Sequence, residues 1–474
     1  VEPTCAQVGL GSRTGRIVLA AATLGTAMAL LDSTVVNVAL RRIGEDLDAS
    51  LGDLQWVSNG YLLSLASLTL LGGSLGDRFG RRRIFVLGVL GFALTSVACG
   101  LAPTAPVLIA ARVAQGAAAA LLTPGSLAMI QGTFAPDDRP RAIGAWSGLG
   151  SVATAVGPFL GGWLVQTASW RWVFLINLPL AALTLLAARA VPETRDPDAV
   201  RGFDVVGAVL GSVALGGITY ALIEWTALPG AALLALVVGL LAAVAFGLQE
   251  RRSRHPMLPL SLFGSRQFSA ANAMTLLTYA ALGGVLFFVV LQLQTVSGLG
   301  PLEAGVATLP ITVVMVLLAG RGGALAARIG PRLPMTFGPL LCAVGTLLLT
   351  RVGADLVYWR DVGLPLTVFG LGLALLVAPL TAAVLAAAPD HHAGVASGIN
   401  NAVARAGSLL AVAALPLLVG LSGEDYQAAG ALDDGYRAAM LWCAGLLAAG
   451  GVVSYLTIRN PEQPRRRQAV GAPS

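Results

Sequence analysis

The sequence predicts an all-α integral membrane protein: fourteen transmembrane helices, arranged as two related six-helix bundles with two further helices inserted between them. Three observations predict it. Hydrophobic residues make up 56% and charged residues only 11% of the 474 positions, against about 25% charged in soluble domains. Apolar runs of about 20 residues recur along the chain, long enough to cross a bilayer and without the alternation of barrel strands. A glycine- and arginine-containing pattern returns at a fixed offset. In hydrocarbon only helices and closed barrels satisfy their backbone polar groups, so continuous apolar runs mean helices.

The runs place spans at 17–40, 54–76, 84–102, 106–131, 142–166, 171–190, 204–225, 229–250, 269–296, 303–324, 333–352, 360–387, 393–420 and 437–458. Connections are short; the longest are about 191–203, 251–268 and 421–436. The first run is longer than a signal-peptide core and no small-residue cleavage site follows it, so it is expected to stay as a span. All 30 basic residues are arginines. An even span number puts both termini on one side. With the termini cytoplasmic, 21 arginines fall in cytoplasmic segments, 6 outside and 3 (Arg112, Arg321, Arg405) within spans. The positive-inside rule therefore sets the orientation. "GDRFGRRR" and "ERRSRH" are cytoplasmic loops, and "GEDYQAAGALDD" is external. The tail arginines Arg465–Arg467 read as a topology signal, with contact to anionic lipid as the alternative. His391 and His392 fall in a cytoplasmic loop; Glu224 and Glu303 lie at outer span ends. Cys5, Cys99, Cys342 and Cys443 are scattered, in no metal-binding or redox spacing.

"GGSLGDRFGRR" at 72–82 and "GGALAARIGPR" at 322–332 share six of eleven positions at an offset of 250. The same offset pairs "GAWSG" (144–148) with "GVASG" (394–398), and Gly157 with Gly407. The chain thus divides into a first bundle (1–190), an inserted helix pair with flanking loops (191–268) and a second bundle with its tail (269–474). Two parallel halves about an axis along the membrane normal are a transporter architecture, with substrate bound between them near the midplane.

Asp32 lies inside the first apolar run, in "ALLDSTVVNVAL". A charge at the centre of a membrane helix costs roughly 2.5–3.5 kcal/mol on insertion scales, so an intramembrane acid is a functional candidate by default. The alternative is a structural carboxylate held by helix backbones or a fixed arginine. Asp32 is about 15 residues into its helix, roughly 22 Å from the cytoplasmic end. Arg112 enters the fourth span from the other side and reaches a similar depth. The two are candidates for a direct or water-bridged pair; Arg112 bonded to helix carbonyls is the alternative. Arg405, with Asn400 and Asn401 a turn before it, lies at mid-depth in span 13 with no acid on its own helix. Gln55, Asn59, Tyr61, Asn272, Tyr279, Phe288, Gln292, Asn400, Asn401 and Arg405 are the side chains available for an amphipathic pocket, which is mostly apolar with a few polar groups. Pro158 within span 5 removes a backbone hydrogen bond, and Gly157, Gly161 and Gly162 beside it permit close helix approach, so this segment is a candidate hinge.

Several of these stretches resemble one family. "GSLGDRFGRRR" (73–83) is similar to the signature loop between helices 2 and 3 of the major facilitator superfamily. "RVAQGAAAA" (112–120) is similar to its helix-4 motif and "GPFLGG" (157–162) to its antiporter-associated helix-5 motif. "LDSTVVNVAL" (31–40), "WRWVFLINLP" (170–179) and "SGINNAVARAG" (397–407) resemble the 14-helix drug:proton antiporters. The sequence departs from the pattern at Arg41, where proline is common, at Ala153, in place of a glycine, and at Asn59, where some exporters of cationic drugs carry an acid. The resemblance implies that Asp32 and Arg112 serve proton coupling. It implies that Gly73, Asp77, Arg78, Gly80, Arg81 and Arg82 form a latch that closes the cytoplasmic side. The counterpart of Asp77 in the second half is Ala327, so that latch is asymmetric.

The expectation is a proton-coupled antiporter that exports amphipathic organic compounds from the plasma membrane of a bacterium by alternating access. No metal or cofactor is expected, protons being the coupling ion. Without lysine there is no phosphate-binding Gly-x4-Gly-Lys-Ser/Thr loop, so no nucleotide is hydrolysed, and no nucleic acid is bound. The partners are the bilayer and a small molecule, and a monomer is compatible with the chain. A proton-coupled importer of a polar nutrient would need more buried charge. A membrane enzyme or flippase acting on lipid-linked substrates would need clustered acids, histidines or a metal site.

Overall fold

The computed structural model describes residues 8–135, 137–195, 204–253, 256–388 and 393–460. Cys5, His391, His392 and Arg465–Arg467 lie outside them. The described residues form fourteen helical spans. The first bundle holds α1 (Arg13–Leu47), α2 (Leu51–Phe79), α3 (Arg81–Gly100), α4 (Ala105–Thr133), α5 (Arg139–Thr167) and α6 (Trp172–Ala188). The inserted pair is α7 (Val205–Glu224) and α8 (Pro229–Arg252). The second bundle holds α9 (Arg266–Thr295), α10 (Pro301–Ile329), α11 (Arg332–Leu349), α12 (Trp359–Ala386), α13 (Ala393–Leu418) and α14 (Ala429–Thr457). Twelve are long and apolar enough to cross a membrane. The others are the shorter α6 and α2, whose polar residues lower its hydropathy and face protein.

Local chemistry sets the boundaries. Ser12 caps α1 by accepting from Gly15 N, and Ser50 with Asp53 makes a reciprocal capping box that starts α2. The sequence places the start of the last span at 437, eight residues too late. The intervening turns are polar, yet Asp433 pairs with Arg437 at 2.6 Å and accepts from Gln292 at 2.6 Å, so they are helical from Ala429. Spans 6 and 10 are interrupted, at Ile176 and Thr308, and α12 opens with a wide turn over Trp359–Gly363.

The offset of 250 is also a packing repeat. α2 crosses α4 where a Cβ on Gly72 would strike Ala120 O, and α10 crosses α12 where a Cβ on Gly322 would strike Ala374 O. Gly80 and Gly330 both hold positive φ (112° and 86°), which favours glycine. Beside them Glu193 accepts from Arg82 N at 3.0 Å and Asn460 accepts from Arg332 N at 3.1 Å. Each bundle thus folds the segment after its last helix back onto the start of its third.

The inserted pair crosses tightly at Gly217 and Gly239, and its first helix, α7, packs on α2 and α13. Trp56 of α2 donates to Glu224 of α7 at 3.1 Å. Between the bundles, hydrogen bonds gather at the end opposite the described chain termini. Gln55 donates to Val412 O (2.7 Å) and Ala413 O (3.1 Å), and Gln294 to Val38 O (3.0 Å). Arg41 donates to Gln294 O, Leu51 N to Gly423 O (2.7 Å), and Tyr426 Oη to Ala49 O (2.8 Å). Burial pushes the Tyr426 phenol up, so it stays a donor through the neutral range. This end is sealed by groups from both halves.

Candidate functional site

Asp32 and Arg112 meet. Four helices of the first bundle converge on them: α1 brings Asp32, α3 Ser96, α4 Arg112 and Gln115, and α6 Asn177. All five residues are at most 1% exposed. Arg112 Nη1 donates to Asp32 Oδ2 at 2.5 Å. Gln115 Nε2 and Asn177 Nδ2 donate to Asp32 Oδ1 at 3.0 and 2.9 Å. Ser96 Oγ accepts from Gln115 at 2.9 Å and from Asn177 at 3.3 Å. Arg112 also donates through Nε to Val57 O of α2 (3.0 Å) and through Nη1 to Gln115 Oε1 (2.7 Å). Its guanidinium stacks on the Tyr61 ring, 4.3 Å to the centroid, and Tyr61 Oη donates to Ala29 O at 3.2 Å.

The carboxylate therefore accepts from three donors, which an ionised group does with both oxygens free. Desolvating two charges is offset only where the geometry is close and the remaining sites are filled, as here. The cluster belongs to one bundle only. At the offset of 250 Asp32 corresponds to Leu282, and the α4–α12 correspondence set by Ala120 and Ala374 matches Arg112 to Leu366. Both leucines pack in the apolar core. Ser96, Gln115 and Asn177 are functional candidates that charge-based reading of the sequence passes over. Gln115 stands three residues after Arg112, on the same helix face, and Asn177 stands in the "INLP" stretch.

The remaining candidates disperse. Gln55 is engaged in the seal. Gln292 joins Val352 O (3.0 Å) and Asp433 within the second bundle, and Phe288 packs against Phe287 in its core. Asn400 donates to Asn272 Oδ1 (3.2 Å) and Thr275 Oγ1 (2.6 Å). Asn59 lies on α2, Tyr279 on α9, and Asn401 and Arg405 on α13, which packs on both of those helices. Asp77 pairs with Arg81 at 2.8 Å, and Arg81 reaches Ala128 O at 3.2 Å, so these residues tie α2, α3 and α4 within the first bundle. Gly73 lies near Pro124 of α4, and Arg78 stacks beside Phe79.

On α5, Gly157 and Gly161 lie against Thr34 and Val35 of α1. Gly162 faces the Pro301 backbone, and Pro158 O faces Gly305, both on α10 of the other bundle. The helix runs on through Pro158.

Two six-helix halves, a buried ion pair in one of them and a seal between them define the chain as a membrane transporter. It belongs to the Major Facilitator Superfamily, whose profile matches residues 22–202 and 199–412. Over 421 residues it is 39% identical to the tetracenomycin C resistance and export protein of Streptomyces glaucescens, covering 87% of this chain and 77% of that one. It is 36% identical to the methylenomycin A resistance protein of Bacillus subtilis (strain 168), covering 95% and 96%. A transporter of the POT family, solved in complex with 5-aminolevulinic acid, shares the fold at a TM-score of 0.71 and 13% identity, covering 95% and 98%. The chain is a multi-pass membrane transporter, not an enzyme.

Proposed function

We propose that this chain exports amphipathic organic compounds, antibiotics among them, in exchange for protons, by alternating access across a bacterial plasma membrane with both termini cytoplasmic. The relatives named for resistance and export support the substrate class. The arginine count supports the orientation, which makes the sealed end the outer one. The observation that carries the coupling is Asp32, a carboxylate with 0% exposure held by Arg112.

The geometry gives the coupling a physical form. While the pair is closed, protonating Asp32 would leave Arg112 charged, buried and without its counter-ion, at a cost of about 3–5 kcal/mol. Protonation of Asp32 and opening of the pair are therefore linked. A ligand shifts a conformational equilibrium only by its difference in affinity for the two states, and this pair supplies such a difference. α2 is placed to carry it. One face holds Arg112 through Val57 O and the Tyr61 ring, and the other packs on α13 across the bundles.

The latch fits the same cycle. Asp77 and Arg81 stiffen the turn at Gly80, with Gly73, Arg78 and Arg82 around it, and that turn moves with α2. The α5 glycines let α5 slide on α1 and α10. No cofactor enters the scheme.

The test is transport in proteoliposomes with an imposed pH gradient. Accumulation of a dye or antibiotic should follow the gradient and collapse when a protonophore removes it. Accumulation that survives the protonophore contradicts proton exchange.

A further inference from the structure

The Asp32 site lies inside one bundle. The surface between the bundles carries a different polar group. On α13, Asn401, Arg405 and Ser408 fall on one face at spacings of four and three. The adjoining face, with Ile399, Ala402, Val403 and Ala406, lines an apolar cavity of about 240 Å³ with α2 and the inserted pair. Asn401 is exposed and Arg405 half-buried, within a span where lipid contact for either would be costly. That face is satisfied only where water or a polar ligand reaches it.

The register of α2 against α13 is fixed at two points: Gln55 bonds to Val412 O, and Leu70 lies against Gly398. It puts Asn59 opposite Ser408 and Leu409, and Arg405 opposite Leu62 and Leu63. Ser408 Oγ donates to Tyr279 O at 2.8 Å, which brings α9 to the same place. Arg405 sits within electrostatic reach of the Tyr61 and Tyr279 phenols, one from each bundle.

Arg405 and Asn59 are left unsatisfied. Among the described residues Arg405 makes no hydrogen bond and no ion pair, and its Nε is buried without a partner. Asn59 is 0% exposed, and both its amide atoms lack partners. The one acid deep in the first bundle, Asp32, is committed to Arg112. A cation and a neutral amide left open near the Tyr279 phenol select against a positive ligand and for one that brings a negative charge or dense acceptors.

The geometry points to a substrate subsite formed by Arg405, Asn59 and Asn401 that takes an anionic or acceptor-rich aromatic amphiphile. It rests on the export reading, whose substrate class it narrows.

Two dyes on one xanthene frame test it: anionic fluorescein and cationic rhodamine 123. Their binding to the purified full chain in nanodiscs is read by fluorescence anisotropy. The wild type should bind fluorescein more tightly. Arg405→Gln should weaken fluorescein roughly 10- to 100-fold, the range for a lost charged hydrogen bond, and leave rhodamine 123 unweakened. Arg405→Lys should keep the preference. Asn401→Asp, at an exposed position that places an acid beside the guanidinium, should cancel it even if Arg405→Gln fails to fold. Equal or tighter binding of rhodamine 123 by the wild type, fluorescein binding indifferent to Arg405→Gln or Asn401→Asp, or no fluorescein binding overturns the proposal. If fluorescein binds through Arg405 while no compound moves under a pH gradient, the export reading fails and the subsite stands.

Discussion

Asp32 stood out in the sequence because a carboxylate within an apolar run is costly, and helical rise alone put Arg112 at its depth. The structure closes that pair at 2.5 Å. What depth could not give was azimuth. Asp32 points into the first bundle, where Ser96, Gln115 and Asn177 surround it, and uncharged polar residues are too common in membrane helices to be singled out by type. The pair makes a residue-scale prediction. Arg112→Leu leaves a buried carboxylate without its cation and should destabilise the protein by about 3–5 kcal/mol, seen as a lower unfolding temperature in detergent. Adding Asp32→Asn should recover part of that loss, because a neutral amide no longer needs the cation; additive losses would show that the two side chains do not depend on each other.

Helix existence followed from hydropathy, and helix ends did not. α14 starts at Ala429 because Asp433, Arg437 and Gln292 satisfy one another, a contact between segments distant in sequence. α2 reads as the most polar span because its faces meet α4, α7 and α13 rather than lipid. Glycine pairs that repeat at 250 mark where helices cross. Gly72→Val and Gly322→Val should each prevent the protein reaching a folded, monodisperse state, since the new side chain meets backbone and not a movable group. Gly144, whose added Cβ would meet nothing within 4 Å, is the control. Gly144→Ala should be tolerated and raise stability by about 0.5–1 kcal/mol, the helix-interior difference between the two residues. Size-exclusion profiles and melting curves compare the three.

The two-half architecture was legible from the internal repeat, and the inserted pair from the span count. The seal was not. Its bonds use Gln55, Gln294, Arg41 and Tyr426, which nothing in the sequence marks as facing the opposite bundle. Gln55 is the instructive case, since a polar residue near the end of a span reads equally well as pocket lining. Alternating access requires the seal to open. Cysteines at positions 55 and 412, in a background lacking the native cysteines and joined by a flexible thiol cross-linker, should abolish efflux, and reduction of a cleavable linker should restore it. Efflux that continues with the sealed end locked would show that substrate does not leave there.

The central claim is that the buried Asp32 exchanges the proton that drives export. The most direct test is Asp32→Asn in proteoliposomes, measuring gradient-driven uptake and, with no gradient, exchange of labelled for unlabelled substrate. The account predicts that gradient-driven uptake is lost while exchange remains. Unchanged gradient-driven uptake in the variant would contradict it.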